Sequence, residues 1–229
     1  MARKLVVEGI GTFFLVLTIG QVVLEPGAGA LAPIAIGSVL MVMVYAGGHI
    51  SGAHYNPAAT LAVFLRGRAT SAELGAYWGA QLLAAALAAL LTLYLKGDVP
   101  VAIVPPVLPA LLAEFTFTFA LAYVILNVAT TRGNEGNSYY GLAIGFTVTA
   151  GAYAVGGISG AAFNPAVAVA LAMMGVLASS HLWVYFVAEL LGGAAAALLF
   201  NALDLGDDKP TTATPAQQAA LRPPAEPGT

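Results

Sequence analysis

Ile50-Ser51-Gly52-Ala53-His54-Tyr55-Asn56-Pro57-Ala58 and Ile158-Ser159-Gly160-Ala161-Ala162-Phe163-Asn164-Pro165-Ala166 are two copies of one phrase. They agree at seven of nine positions and lie 108 residues apart. One Asn-Pro pair reads as an ordinary helix start, with Asn as the N-cap and Pro as the first helical residue. Two copies in a repeating context say more. Ala35-Ile36-Gly37 returns as Ala143-Ile144-Gly145, Tyr77 as Tyr185, and Gln81 as Glu189 at the same offset. Near the start of each half the offset is 106, pairing Glu8 with Glu114, Thr12 with Thr118 and Phe13 with Phe119. The chain is a tandem duplication of about 100 residues.

Composition gives the kind of duplication. Of the 229 residues, 59% are hydrophobic and 8% charged, where a soluble domain carries about 25% charged residues. Apolar runs predict six transmembrane helices, at about 5–23, 33–49, 74–95, 108–129, 138–156 and 181–203. The first run follows Arg3 and Lys4 as a signal peptide would, but its counterpart at 108–129 is internal, so it reads as a retained span. The absence of cysteine excludes disulfides and thiolate chemistry. The net charge of −3, without a basic stripe, gives nucleic acid no footprint.

Positive charge sets the expected orientation. With six spans, Arg3, Lys4, Arg66, Arg68, Arg132, Lys209 and Arg222 fall on one side and Lys96 on the other. This bias places both termini in the cytoplasm of a multi-pass cell-membrane protein. Each half has three spans, so the second half enters the bilayer upside down. Inverted repeats put a functional site near the midplane between them. The expected channel unit is 1–204, with repeats at about 5–95 and 108–203. The Pro-rich stretch 205–229 reads as a disordered cytoplasmic tail.

Each phrase precedes an apolar run too short to span, Ala58 to Leu65 and Ala166 to Met174. Such a run rises only about 15 Å and reads as a re-entrant half-helix. In inverted halves the two N-termini meet near the centre. Each N-terminus carries about half a positive charge and free N–H groups, so the pair repels cations. The Asn56 and Asn164 amides can donate to a passing oxygen. Non-helical Gly52, Ala53 and His54, and Gly160, Ala162 and Phe163, would present backbone carbonyls to a water-filled path.

These residues resemble the aquaporin, or major intrinsic protein, superfamily. The resemblance covers about residues 4–203 and rests on Glu8, the two Asn-Pro-Ala phrases (Asn56, Pro57, Ala58 and Asn164, Pro165, Ala166), Gln81, Glu114 and Glu189. It implies an all-α membrane channel of six spans and two half-helices, assembled as a homotetramer, with small neutral solutes and the bilayer as partners and no cofactor or metal. It also implies a selectivity filter at Ile36, Ala152, Ala161 and Val167. Water-selective members usually have an aromatic residue, a His, a small residue and an Arg there. This filter is wide and apolar, and the expected solutes are water with ammonia, hydrogen peroxide, urea or glycerol. Glycerol facilitators carry an Asp just after the filter Arg, where Ala168 stands here. The resemblance further assigns Glu8, Gln81, Glu114 and Glu189 to holding the re-entrant loops, and puts His54 on the cytoplasmic pore wall.

Other residues have plainer readings. His54 is either a neutral hydrogen-bonding liner or a pH sensor. His49 reads as a packing or loop-anchoring residue, and His181 with Trp183 and Tyr185 as an interfacial anchor. Small-xxx-small pairs at Gly75/Gly79, Gly141/Gly145 and Gly156/Gly160 suggest close helix packing. Two other classes compete. Ser159 with His181 could form an intramembrane serine protease, but Ser51 duplicates Ser159, and a nucleophile needs no twin. An ion-coupled secondary transporter also uses inverted repeats, but neither phrase holds the coupling carboxylate it would need.

Overall fold

The computed structural model describes residues 1–97 and 102–206. Among these are eight α-helices: α1 (Ala2–Val23), α2 (Ala32–Ser51), α3 (Pro57–Leu65), α4 (Ser71–Lys96), α5 (Val107–Thr130), α6 (Tyr140–Ser159), α7 (Pro165–Met173) and α8 (Leu182–Ala202). Six are long and apolar enough to cross a membrane, and they coincide with the six expected spans. The two others have nine residues each, about 14 Å of helix. The expected tail from 207 onward, with Lys209 and Arg222, lies outside the described residues.

The duplication is carried into the packing. α1 packs on α2 and α4 as α5 packs on α6 and α8; α3 packs on α8 as α7 packs on α4; and α2 crosses α6 between the halves. The repeated triplets explain that crossing. A Cβ on Gly37 would stand 2.6 Å from the Gly145 carbonyl oxygen, and one on Gly145 would stand 2.8 Å from Met41 Cβ. No side chain fits at either site, so both halves keep glycine where their backbones touch.

The expectation of three small-residue packing pairs is corrected. Gly141 and Gly145 meet α2 closely, but a Cβ on Gly75, Gly79 or Gly156 meets nothing within 4 Å. Gly75 and Gly79 are exposed on α4. Large apolar side chains such as Val6, Leu83, Leu87, Leu112, Phe146 and Leu198 are also exposed. That outer surface is apolar because lipid tails, rather than water, are its solvent.

The helix ends locate the site. α2 and α6 both stop at a glycine in the left-handed conformation, Gly52 (φ 89°) and Gly160 (φ 90°). Only glycine takes this conformation without cost. Four residues later Asn56 and Asn164 restart the chain as N-caps, with Pro57 and Pro165 first in each half-helix. α4 begins with a capping box, the Thr70 hydroxyl accepting from Glu73 N and Glu73 accepting from Thr70 N.

Candidate functional site

The chain between each glycine and each asparagine is held in an unusual shape. Ala53 (φ 51°) and Tyr55 (φ 49°) are left-handed, as are their counterparts Ala161 (φ 55°) and Phe163 (φ 51°). Non-glycine residues there are rare and cost about 1–3 kcal/mol each, so the surroundings must hold them.

Buried polar side chains do so. Glu8 is fully buried and takes four hydrogen bonds. Its Oε1 accepts from Ser51 Oγ (2.7 Å) and His54 N (2.9 Å), its Oε2 from Tyr55 N (2.7 Å) and Gln81 Nε2 (2.9 Å). Glu114 repeats the pattern, accepting from Ala162 N (3.1 Å) and Phe163 N (2.7 Å). Ser51 and Ser159 each accept from the amide two residues on, Ala53 N and Ala161 N. The phenols of Tyr77 and Tyr185 donate to the carbonyls of Ser51 and Ser159. The repeated Tyr pair is thus a pair of clamps. Tyr185 is fully buried, which corrects its reading as an interfacial anchor, while Trp183 is exposed. The protease alternative ends here too: Ser159 is a buried loop clamp, and His181 pairs with neighbouring Ser180.

The two phrases meet. Asn56 Oδ1 caps α3 by accepting from Ala58 N (2.8 Å) and Ala59 N (3.3 Å); Asn164 Oδ1 caps α7 by accepting from Ala166 N (3.0 Å). Each amide then crosses to the other half: Asn56 Nδ2 donates to Phe163 O (2.8 Å), and Asn164 Nδ2 donates to Tyr55 O (2.9 Å). This refines the sequence reading. An amide NH2 has two hydrogens, and one of each is spent tying the loops together. The other makes no bond to the described residues.

A cavity of about 320 Å³ runs past this junction. Its wall includes Asn56 and Asn164 with Ile36, Ala152, Ala161 and Val167, so the four positions expected to form a filter and the phrases share one space. Among the described residues no Asp, Glu, Lys or Arg lines it. Ile103 also lines it and was not visible as a site residue in the sequence. Its backbone bonds to Val176 O (2.8 Å) and Ala178 N (3.0 Å) set it against the cavity. The only hint was an apolar run in a linker.

A second cavity, about 670 Å³, adjoins the first through shared Ala53, His54, Ile125 and Ile144. Charges gather here: Lys4, Arg68, Glu73, Arg132 and Glu135 line it, and Lys4 Nζ meets Glu73 Oε1 at 2.6 Å. His49 is exposed on its wall, which corrects its reading as a packing or anchoring residue. His54 stands where the cavities meet. Thr60 spends its hydroxyl hydrogen on Asn56 O (2.9 Å) and accepts from Gln81 Nε2 (3.1 Å). His54 Nδ1, 3.2 Å from Thr60 Oγ1, must therefore be the donor. That tautomer leaves Nε2 a free acceptor in a neutral ring.

Six spans, with two half-helices meeting end to end beside adjoining cavities, define a membrane channel rather than an enzyme. The major intrinsic protein family model matches residues 1–200, and the chain belongs to that family. It is 38% identical over 218 residues to "Aquaporin NIP1-4" of Oryza sativa subsp. japonica, covering 90% of this chain and 79% of that protein. It is 40% identical over 213 residues to "Aquaporin NIP1-1" of the same plant, covering 87% and 73%. Among solved structures, the aquaglyceroporin from Plasmodium falciparum superposes with a TM-score of 0.74 at 20% identity, covering 90% of this chain and 98% of the other. Its likeness is one of fold. The protein is a passive channel for water and small solutes.

Proposed function

We propose that this channel passes water together with small uncharged solutes, from ammonia and hydrogen peroxide up to urea or glycerol, through a wide apolar filter. The observation that carries this reading is the filter's chemistry. Ile36, Ala152, Ala161 and Val167 line the cavity and bring it no side-chain hydrogen-bond donor. Two alanines leave room, and no cation stands in the ring.

Ion exclusion then rests on the centre. The N-termini of α3 and α7 meet where Asn56 and Asn164 bridge the loops, and their helix dipoles set a positive potential in low dielectric. Pro57, Ala58, Pro165 and Ala166 form the first turns of those helices. Beside them, Gly52, Ala53, His54, Gly160, Ala162 and Phe163 form the wall. A solute is handed from these backbones to the two amides, and on the wider side to His54 Nε2.

The wider, charged cavity faces the cytoplasm in this reading, with both termini on that side of the cell membrane. Lys4, Arg68 and Arg132 around it agree with the positive-inside rule. The channel unit is 1–204, and assembly as a homotetramer belongs to this reading through the family alone.

Flux measurements separate this reading from a coupled transporter. Vesicles containing the protein are expected to show water flux linear in the osmotic gradient, unchanged when sodium and proton gradients are collapsed. Saturating flux that depends on either gradient would favour the transporter.

A further inference from the structure

The two halves hold their phrases with different chemistry. In the first, Gln81 Nε2 has two hydrogens and two acceptors, Glu8 Oε2 at 2.9 Å and Thr60 Oγ1 at 3.1 Å. In the second, Glu189 stands in the place of Gln81 and Ala168 in that of Thr60. An amide at 189 would thus have one acceptor for two hydrogens. A carboxylic acid would have one acceptor for one.

The carboxyl groups of Glu114 and Glu189 converge on three consecutive amides, Ala162 N and Phe163 N for Glu114 and Asn164 N for Glu189, and both residues are fully buried. Glu189 Oε1 accepts from Asn164 N at 2.9 Å. Glu189 Oε2 is buried, and no N–H or O–H donor among the described residues reaches it. Two carboxylates have no hydrogen to place between them, so a hydrogen bond that pairs Glu189 Oε2 with Glu114, as Gln81 pairs with Glu8 in the first half, needs a proton. Glu114 accepts from two backbone amides, Ala162 N and Phe163 N. Glu189 accepts from one.

We propose that Glu189 is an un-ionised carboxylic acid whose Oε2–H donates to the Glu114 carboxylate, making it a neutral positioning residue that holds Asn164 as its counterpart Gln81 helps hold the first phrase. Each half then keeps a single buried anion, Glu8 or Glu114. A second anion behind α7 would offset the positive helix end that repels cations.

Infrared spectroscopy of the full-length protein in vesicles tests this. The wild type at neutral pH is expected to show the carbonyl stretch of a buried carboxylic acid, shifted in D2O, and Glu189→Gln is expected to lose it. No such band in the wild type, or a band that survives in Glu189→Gln, overturns the assignment. Transport gives a second arm. Glu189→Ala leaves Asn164 N without its acceptor, and its water permeability per folded molecule is expected to fall about tenfold, the equivalent of one lost hydrogen bond. Glu189→Gln restores the acceptor and a donor and leaves one amide hydrogen unpaired, so it is expected to lower stability while its permeability per folded molecule stays within about twofold of wild type. Equal impairment of both variants also overturns the proposal. If Glu189→Ala does not fold, the infrared comparison still decides. That comparison needs no solute, so its failure is distinct from a failure of the channel reading.

Discussion

Replacing Glu8 by glutamine is expected to cost nearly as much as replacing it by alanine, and to reduce water permeability to that of empty vesicles. Both Glu8 oxygens accept two hydrogen bonds, Oε1 from Ser51 Oγ and His54 N, and Oε2 from Tyr55 N and Gln81 Nε2. A glutamine has one oxygen, so its NH2 must face a backbone N–H that cannot turn away, His54 N or Tyr55 N, and force the neighbouring Ser51 hydroxyl or Gln81 amide to re-aim. A buried donor left unpaired costs about 1–3 kcal/mol. One such loss, the re-aimed side chain and the lost charge put the expected destabilisation at about 3 kcal/mol. Ala53 and Tyr55 would no longer be held left-handed, and the first phrase would leave the pore axis. Thermal unfolding in detergent and vesicle swelling measure the two effects. The contrast with Glu189→Gln is the informative part, since one chemical change is ruinous in the first half and mild in the second. A proton relay through Glu8 would instead predict a folded protein with altered pH dependence alone.

The second large effect concerns selectivity. Val167 lines the cavity at 2% exposure, on the first turn of α7, with Ile36, Ala152 and Ala161 on the same wall. In Val167→Arg a guanidinium would occupy the space left by the alanines and add a positive barrier of the kind that excludes cations and protons. Its charge at a helix N-terminus costs about 0.3–1 kcal/mol, which the fold can bear. Urea and glycerol permeability is expected to fall by about tenfold or more, while water stays within about threefold. Stopped-flow light scattering on the same vesicles measures all three. Unchanged urea and glycerol flux in a folded variant would place the filter elsewhere.

Much of this was legible in the sequence. Six apolar runs and two short ones predicted the spans and half-helices, because lipid demands continuous apolar length whatever the neighbours. The repeated phrases carried their caps in the residue types themselves. The pairing of Glu8 with Glu114 and Gln81 with Glu189 pointed to loop support, and both glutamates indeed accept backbone amides of the phrases.

What was not legible is tertiary. The bond from Asn56 to Phe163 O joins residues 107 apart, and no local rule orients an amide across a two-fold axis. Ile103 reaches the cavity only through backbone pairing with Val176 and Ala178. Tyr185 reads as an interfacial aromatic until the structure shows it buried against Ser159. Glycine spacing predicted close packing at three places. It occurs where a neighbouring backbone arrives, at Gly141 and Gly145, which spacing alone does not reveal. The tautomer of His54 follows only once the single hydrogen of Thr60 is traced to Asn56 O.

The most direct test of the account is a solute panel on purified protein in vesicles: water, ammonia, hydrogen peroxide, urea and glycerol, with a proton-leak control. Protein-dependent flux of water and of at least one larger solute, urea or glycerol, is expected, with no proton leak above that of empty vesicles. Flux of water alone would contradict the wide apolar filter.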